Sequence, residues 1–354
     1  MAAGFAALAV AAPSFALVVR SGSAFTAAGI TPFRDAFRTD LGGGTVAGAN
    51  GLFSDATGAR REINWDGVPD AFAAPNNLPA DFFNVNSPRG VVFSTPGTAL
   101  QVSANAGNPT GTPIEFGNID ASYPATFDPF SPQRLFTAIG STIVDVRFFV
   151  PGTTTPAFVR GFGVVFSDVD LADQTTIRFF GPNDENLGGL FGGFAVPPQA
   201  GSQTFSFLGV DFQANIVSRV RITSGTTALA PGVGDQNGNP NDLVVMDDFI
   251  YPNPTATTAA TFVSFTGRQT QRGVVLRWRT AQEVGSIGYN VYRGPAGHRV
   301  RVNRAIVRAH GSVAGSRYVF RDTRAPRHSR LRYWLEEVGT NGAHQWRGPL
   351  VVST

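Results

Sequence analysis

Carboxylates and side-chain amides crowd into one stretch of this chain, Asp235-Gln-Asn-Gly-Asn-Pro-Asn-Asp-Leu-Val-Val-Met-Asp-Asp-Phe-Ile-Tyr251. Hard oxygen donors at this density are the chemistry of a calcium site, because calcium takes about six to eight oxygens from carboxylates, amides and main-chain carbonyls. The loop offers Asp235, Asn237, Asn239, Asn241 and Asp242, and the apolar run after it adds Asp247 and Asp248. Asp235, Asn237 and Asn239 have the spacing that opens an EF-hand loop. Pro240, however, stands where that loop needs glycine, and Met246 where it needs a bidentate glutamate, so an EF-hand is excluded. In an extended strand over Val244 to Tyr251 the side chains alternate faces. Val245, Asp247, Phe249 and Tyr251 then share one face, and Val244, Met246, Asp248 and Ile250 the other. The two aspartates are expected to point opposite ways, so that one alone joins a given site. An acid in so apolar a strand needs a partner, since an unpaired buried carboxylate is very costly. The competing reading is a solvated Asn/Gly turn ahead of an edge strand.

Other constellations carry less. Asp168-Val-Asp-Leu-Ala-Asp173 is a second acidic cluster, in which Asp168 and Asp170 share a strand face and can meet one cation. A solvated loop after a strand is the reading preferred for it. His298, His310, His328 and His344 are confined to the C-terminal part and lack the spacing of metal ligands. No nucleophile elbow is present. Paired carboxylates for glycoside hydrolysis can be drawn at will from the 21 acids of residues 1–255, so such a pair carries no information. Gly42-Gly43-Gly44 lacks the strand-to-helix context of a phosphate loop. For a sugar-binding face, residues 60–251 hold only Trp65, Tyr123 and Tyr251 beside their phenylalanines. Tyr123, Phe127 and Phe130, in one long loop, are the candidates for an exposed aromatic patch.

The elements that must position these residues are β-strands. Of 354 residues only 15% are charged, while Gly (41), Pro (24) and Phe (30) are abundant, as in an all-β protein with many turns. Cysteine is absent, which excludes disulfides, thiolate metal sites and a cysteine nucleophile. Every basic side chain is arginine. Residues 2–16 read as the apolar core and cleavage site of a signal peptide, truncated before its basic leader, with Ser14 and Ala16 as the small residues of the site. This implies export; the run is too short for a membrane span. Residues 17–59 form a leader in which Thr31 caps a short helix, Pro32 takes its first position, and Ile30, Phe33, Phe37 and Leu41 face the fold. Strand signals recur from residue 60 to 252, at 63–65, 91–94, 99–103, 143–150, 161–167, 175–180, 204–208, 218–223 and 244–251. They predict a two-sheet, jelly-roll-like β-sandwich. Residues 253–260 are a linker by composition.

Beyond the linker the chemistry changes. Residues 256–354 hold 16 arginines and 4 acids, a formal +12; residues 1–255 hold 12 arginines and 21 acids, a formal −9. Val274 to Trp278, Gly288 to Arg293, Tyr318 to Asp322 and Tyr333 to Val338, with Gly348-Pro349 near the end, resemble the fibronectin type III-like modules of secreted bacterial proteins. The resemblance spans residues 261–354. It implies a smaller immunoglobulin-like sandwich with Trp278, Tyr289, Val291 and Leu335 in its core, serving as spacer or docking platform. The larger domain is similar to β-sandwich domains of exported bacterial proteins through Arg61 to Gly67, Gly161 to Asp170, Ser206 to Val210 and Val245 to Tyr251. Its ending also resembles the last strand of calcium-containing carbohydrate-binding jelly rolls, in which an Asp-Asp pair supports a structural ion near the first strand. That resemblance brings Asn64 or Asp66 to the ion.

The expectation is therefore an exported, non-enzymatic binding or adhesion protein, calcium-stabilised and directed at an extracellular glycan. The alternative is a surface or filament subunit that assembles with copies of itself, the basic module of one meeting the acidic domain of the next. No nucleic-acid motif accompanies the arginines, so specific nucleic-acid recognition is not expected. A secreted hydrolase is the third class.

Overall fold

The computed structural model describes residues 17–42, 60–182, 184–189, 192–235, 241–256, 260–283, 285–310, 315–327, 329–339 and 344–353. The signal-peptide-like residues 2–16, and Asn237 and Asn239 of the candidate loop, lie outside them. The chain divides into two compact units, Leu17–Ala256 and Thr257–Thr354.

The larger unit is a two-sheet antiparallel sandwich. Its elements are β1 (Val18–Ala24), α1 (Ala27–Leu41), β2 (Arg60–Ile63), α2 (Phe82–Val85), β3 (Val91–Ser94), β4 (Ala99–Val102), α3 (Tyr123–Thr126), β5 (Phe136–Ile139), β6 (Ile143–Phe148), β7 (Gly161–Ser167), β8 (Thr176–Phe180), β9 (Phe194–Ala195), β10 (Phe205–Asp211), β11 (Arg219–Thr223) and β12 (Val245–Pro252). One sheet runs β1-β10-β7-β12-β5-β4, with β2 also on β12, and the other runs β3-β6-β11-β8-β9. Trp65 marks the core between them. It stacks on Phe136 at 4.0 Å between ring centres and meets Phe83, Phe93 and Phe249 at their edges or tilted. Aromatic contacts of this kind add about 0.5–1.5 kcal/mol each beyond the area they bury.

Residues 17–42 are part of this sandwich, not a leader to it. Val18–Ala24 pairs with β10 along its whole length, a strand the sequence did not disclose because its residues alternate with Ser and Gly. The helix begins at Ala27 with Thr26 at its N-cap, so Pro32 sits inside it, and the Thr31 hydroxyl donates to the Ala27 carbonyl at 2.9 Å. Ile30, Phe37 and Leu41 are buried, while Phe33 is exposed. Phe37 rests on a cross-strand glycine pair, Gly163 of β7 and Gly209 of β10. A Cβ at either position would stand 2.7 Å or 2.6 Å from the Phe37 ring. A buried ion cluster fixes the same face: Arg38 and Arg60 both donate to Glu62, with Arg38 Nη2 at 2.6 Å and Arg60 Nε at 2.6 Å.

β12 departs from simple alternation. Against β7 its register runs Val245↔Ser167 and Met246↔Phe166, then resumes at Phe249↔Val164, so Asp247 and Asp248 together oppose Val165. This β-bulge turns both aspartates toward the α1-covered face. On its other edge β12 pairs with β5 before the bulge, at Met246↔Phe136, and with β2 after it, from Phe249↔Ile63. Val245 and Phe249, expected on one face, lie on opposite ones: Val245 packs with Phe116 and Tyr123, and Phe249 with Trp65 and Phe162.

The second unit is also a two-sheet sandwich. Its strands are β13 (Thr261–Thr270), β14 (Gly273–Gln282), β15 (Ser286–Arg293), β16 (Val300–Arg301), β17 (Val307–Arg308), β18 (Arg317–Asp322), β19 (Leu331–Gly339) and β20 (His344–Val352). They form a β13-β14-β18 sheet and a β16-β15-β19-β20 sheet, with β17 also on β15. Trp278, Tyr289, Val291 and Leu335 are all buried in its core.

Candidate metal centre

β7 and β12 are antiparallel neighbours, so the end of one lies beside the start of the other: Ser167 pairs with Val245. The acids that follow β7 therefore meet the acids that precede β12. Carboxylate oxygens of Asp168, Asp170 and Asp235 all lie within 4.8 Å of one another. Asp242 adjoins them, its two oxygens accepting from the Asp170 and Leu171 amides at 3.1 Å and 3.3 Å. Asp235 and Asp242 of the first acidic stretch thus meet Asp168 and Asp170 of the second.

Each carboxylate but one has a donor from the main chain. Asp170 accepts from the Gly201 amide at 2.7 Å, and Asp235 from the Leu243 amide at 3.2 Å. Asp168 is the exception. It is fully buried, and neither of its oxygens has a hydrogen-bond partner. Its backbone takes the left-handed conformation, φ +71°, which turns the chain out of β7 and aims this carboxylate at Asp235. Burial, then the neighbouring Asp235, then Asp170 and Asp242, push the Asp168 carboxyl up to about 10. Burial also raises Asp235, and raises Asp242 to about 6 against the two amides that hold it down. A cluster of acids that repel one another, one of them without a donor, has the chemistry of a cation site. The donors are all oxygen, and no histidine or cysteine belongs to the group. Such a set suits calcium, with its loose geometry, better than zinc or copper.

Tyr123 and Asp120 position the entering loop. The Tyr123 hydroxyl lies 2.9 Å from both the Ala230 and Val233 carbonyls, and Asp120 accepts from the Gly232 amide at 2.8 Å. This corrects the expectation of an exposed aromatic patch. Tyr123 and Phe127 are fully buried, in a cluster with Phe116, Leu243 and Val245. Phe130 is half-buried, against Phe205 on one side and the Arg34 guanidinium on the other. In a chain with so many core phenylalanines, loop position was no evidence of exposure.

Asp247, Asp248 and Asp66 are not brought to this site. The expectation that the two adjacent aspartates diverge is overturned by the bulge: Ser131 Oγ lies 3.0 Å from Asp247 and 3.1 Å from Asp248. One Asp247 oxygen accepts from the Phe130 and Ser131 amides at 2.6 Å and 3.1 Å. One Asp66 oxygen likewise accepts from the Gln133 and Arg134 amides at 2.6 Å and 3.1 Å. These three acids fasten the 130–134 segment to the sheet, and that use accounts for them without an ion.

No protein-family model matches the chain, and no curated protein matches it. Among solved structures it is similar to the glycoside hydrolase domain of Endo-D from Streptococcus pneumoniae, at 10% identity over 60% of this chain and 32% of that one, TM-score 0.19. It is also similar to the adhesin domain of Epf from Streptococcus pyogenes, at 9% identity over 75% and 91%, TM-score 0.19. A third is the β-1,2-glucanase of Parabacteroides distasonis, at 11% identity over 75% and 37%, TM-score 0.18. The chain spans about a third of the length of the first of these. At these scores the likenesses carry no functional argument.

Proposed function

We propose that this chain is a calcium-stabilised, non-enzymatic binding protein of the cell surface or extracellular space. The observation that carries the reading is Asp168: a fully buried carboxylate, without a donor, facing Asp170 and Asp235. A bound calcium ion supplies the charge that this arrangement lacks and ties the end of β7 to the loop before β12. The acids around it are held by main-chain amides, as ligands of a structural ion are, and the second buried pair, Asp247 and Asp248, is occupied in holding the 130–134 segment. Export is supported by the apolar, alanine-rich residues 2–16 and by a first strand that starts at Val18, two residues past Ala16. Among the described residues no helix is long and apolar enough to cross a membrane. Assembly with copies of itself rests on the charge division alone and is the weaker reading.

The test is melting with calcium and with a chelator. A ligand at 100 times its Kd stabilises the native state by about 2.7 kcal/mol. For a unit of this size that is a rise of roughly 5–10 °C. Identical melting curves in calcium and in EDTA, with no calcium found by elemental analysis, overturn the reading.

A further inference from the structure

The second unit carries a cleft of about 430 Å³ between the edge strands of its two sheets, β16 and β18. Val302 and Phe320, which pack on the core, form its apolar floor. Its walls bring five arginines together, Arg293, Arg301, Arg304, Arg321 and Arg324, with Asp322 as the one acid. That acid is already committed. Asp322 is buried, pairs with the Arg293 guanidinium, accepts from the Tyr333 hydroxyl at 2.9 Å, and receives the Arg324 amide at 3.1 Å. Arg301, Arg304, Arg321 and Arg324 have no carboxylate partner among the described residues.

The β16 wall is held in place in advance. Asn303 is buried and accepts from the Val291 amide at 2.8 Å, while its own amide donates to the Ala305 carbonyl at 2.8 Å and the Tyr289 carbonyl at 3.2 Å. Arg301 in turn is steered by the Asn303 and Arg304 carbonyls, at 3.0 Å and 3.3 Å. Arginines gathered on one concave face, with one acid among them, raise the local positive potential and draw anions to it. Guanidinium forks match the oxygens of sulfate, phosphate or carboxylate groups two at a time.

We infer that this cleft binds a linear acidic polysaccharide through its sulfate or carboxylate groups. The shape separates this ligand from nucleic acid. Single strands are held by a basic groove together with exposed rings on which bases stack, and duplexes by an element that enters a groove. Here the surface is concave, which disfavours a duplex, and its one ring, Phe320, packs on the core, which leaves no stacking platform for a single strand. The inference deepens the proposed binding role by assigning it a ligand class and a place, in the unit that does not hold the calcium site.

The experiment is calorimetric titration of the full chain with a sulfated oligosaccharide, an oligouronate and a neutral oligosaccharide of equal length. The expected result is binding of one or both acidic sugars but not the neutral one, weakening as the screening length falls from about 30 Å at 0.01 M salt to about 3 Å at 1 M. Arg304→Glu with Arg321→Glu is expected to weaken it roughly 10- to 100-fold. Both side chains are exposed, and an unchanged melting curve confirms that the fold survives. Should the reversal disturb folding, Arg304→Gln with Arg321→Gln replaces it, with a smaller loss in the same direction. EDTA is expected to leave the affinity unchanged, so this result stands or falls apart from the calcium reading. Equal affinity in a folded double variant, equal binding of the neutral sugar, or tighter binding of single-stranded DNA of the same charge overturns the inference.

Discussion

Asp66 and Asp247 grip the two ends of one short segment in the same way, each with a single carboxylate oxygen that takes two successive amides, Gln133 and Arg134 for Asp66, Phe130 and Ser131 for Asp247. The segment leads into β5, whose Phe136 stacks on Trp65. Losing either grip leaves amides without acceptors at the edge of the core. Asp66→Ala is expected to cost about 1–3 kcal/mol, read as a lower urea midpoint, with the calcium response intact. A calcium response lost together with stability would instead place Asp66 among the ion's ligands.

Asp168→Asn separates a cation site from a mere crowd of acids. The substitution preserves shape and removes the carboxyl that can ionise onto a cation. In calcium the variant is expected to melt below wild type and to have lost the calcium-dependent rise. In EDTA it is expected to melt at or above wild type, because burial and its acidic neighbours push the Asp168 carboxyl up to about 10, and an amide escapes the cost of holding that proton at neutral pH. A variant that melts lower by the same margin in both solutions contradicts the assignment.

Tyr123→Phe probes the support of the same site. The hydroxyl that ties the 230–233 loop is removed while the ring stays buried. One such hydrogen bond contributes about 1 kcal/mol, so calcium affinity is expected to fall about fivefold by titration with a fluorescent competitor chelator. An unchanged affinity shows that Asp235 is placed without that tether.

Asp247 and Asp248 give stability a pH dependence of definite sign. Burial raises both carboxyls, Asp247 well above its usual range with help from the charge of Asp248, and Asp248 to about 6. A carboxyl whose folded pKa exceeds its unfolded value holds its proton better in the native state. Its stabilising contribution is complete at acid pH and is lost as pH rises through the folded value. For Asp248 the window runs from 3.8 to about 6. Relative to wild type, Asp248→Asn is expected to gain stability across that window by up to about 1.4 kcal/mol per pH unit, measured by urea unfolding in excess calcium. A difference that does not change with pH contradicts the buried proton.

The seat of α1 supplies a steric test. Gly163→Ala or Gly209→Ala places a methyl group against the Phe37 ring. Overpacking of this kind costs about 1–3 kcal/mol, and Phe37→Ala about 3–5 kcal/mol. Restored stability in the double variant Gly209→Ala with Phe37→Leu would confirm that the ring and the glycines are one packing unit.

The sandwich was legible in the sequence because its inner strands alternate cleanly, as Val144, Val146 and Phe148 do. β1, β5 and β9 were not legible: small residues in β1, mixed polarity in Phe136–Ile139, and two residues in β9 give no period to detect. Both halves of the candidate metal centre were visible as acidic clusters, but their union depends on β7 lying beside β12, and strand pairing is not written locally. The chemical cue was there: one strand runs out into Asp168 and another is entered from Asp242. The bulge at Asp247 was hidden for the opposite reason. A strictly alternating reading of β12 looked complete, and only the partner strand shows that two residues stand against one.

Trp65 gives the larger unit an optical signature of its own. It is the single tryptophan of residues 17–256, since Trp278, Trp334 and Trp346 belong to the other unit. Its indole donates to the Asp247 carbonyl at 2.8 Å inside a shell of phenylalanine rings. Emission from this one ring, isolated by replacing the other three with phenylalanine, reads out the closing of the sandwich at the bulge, so that the larger unit can be followed through its own unfolding without a dye or a label.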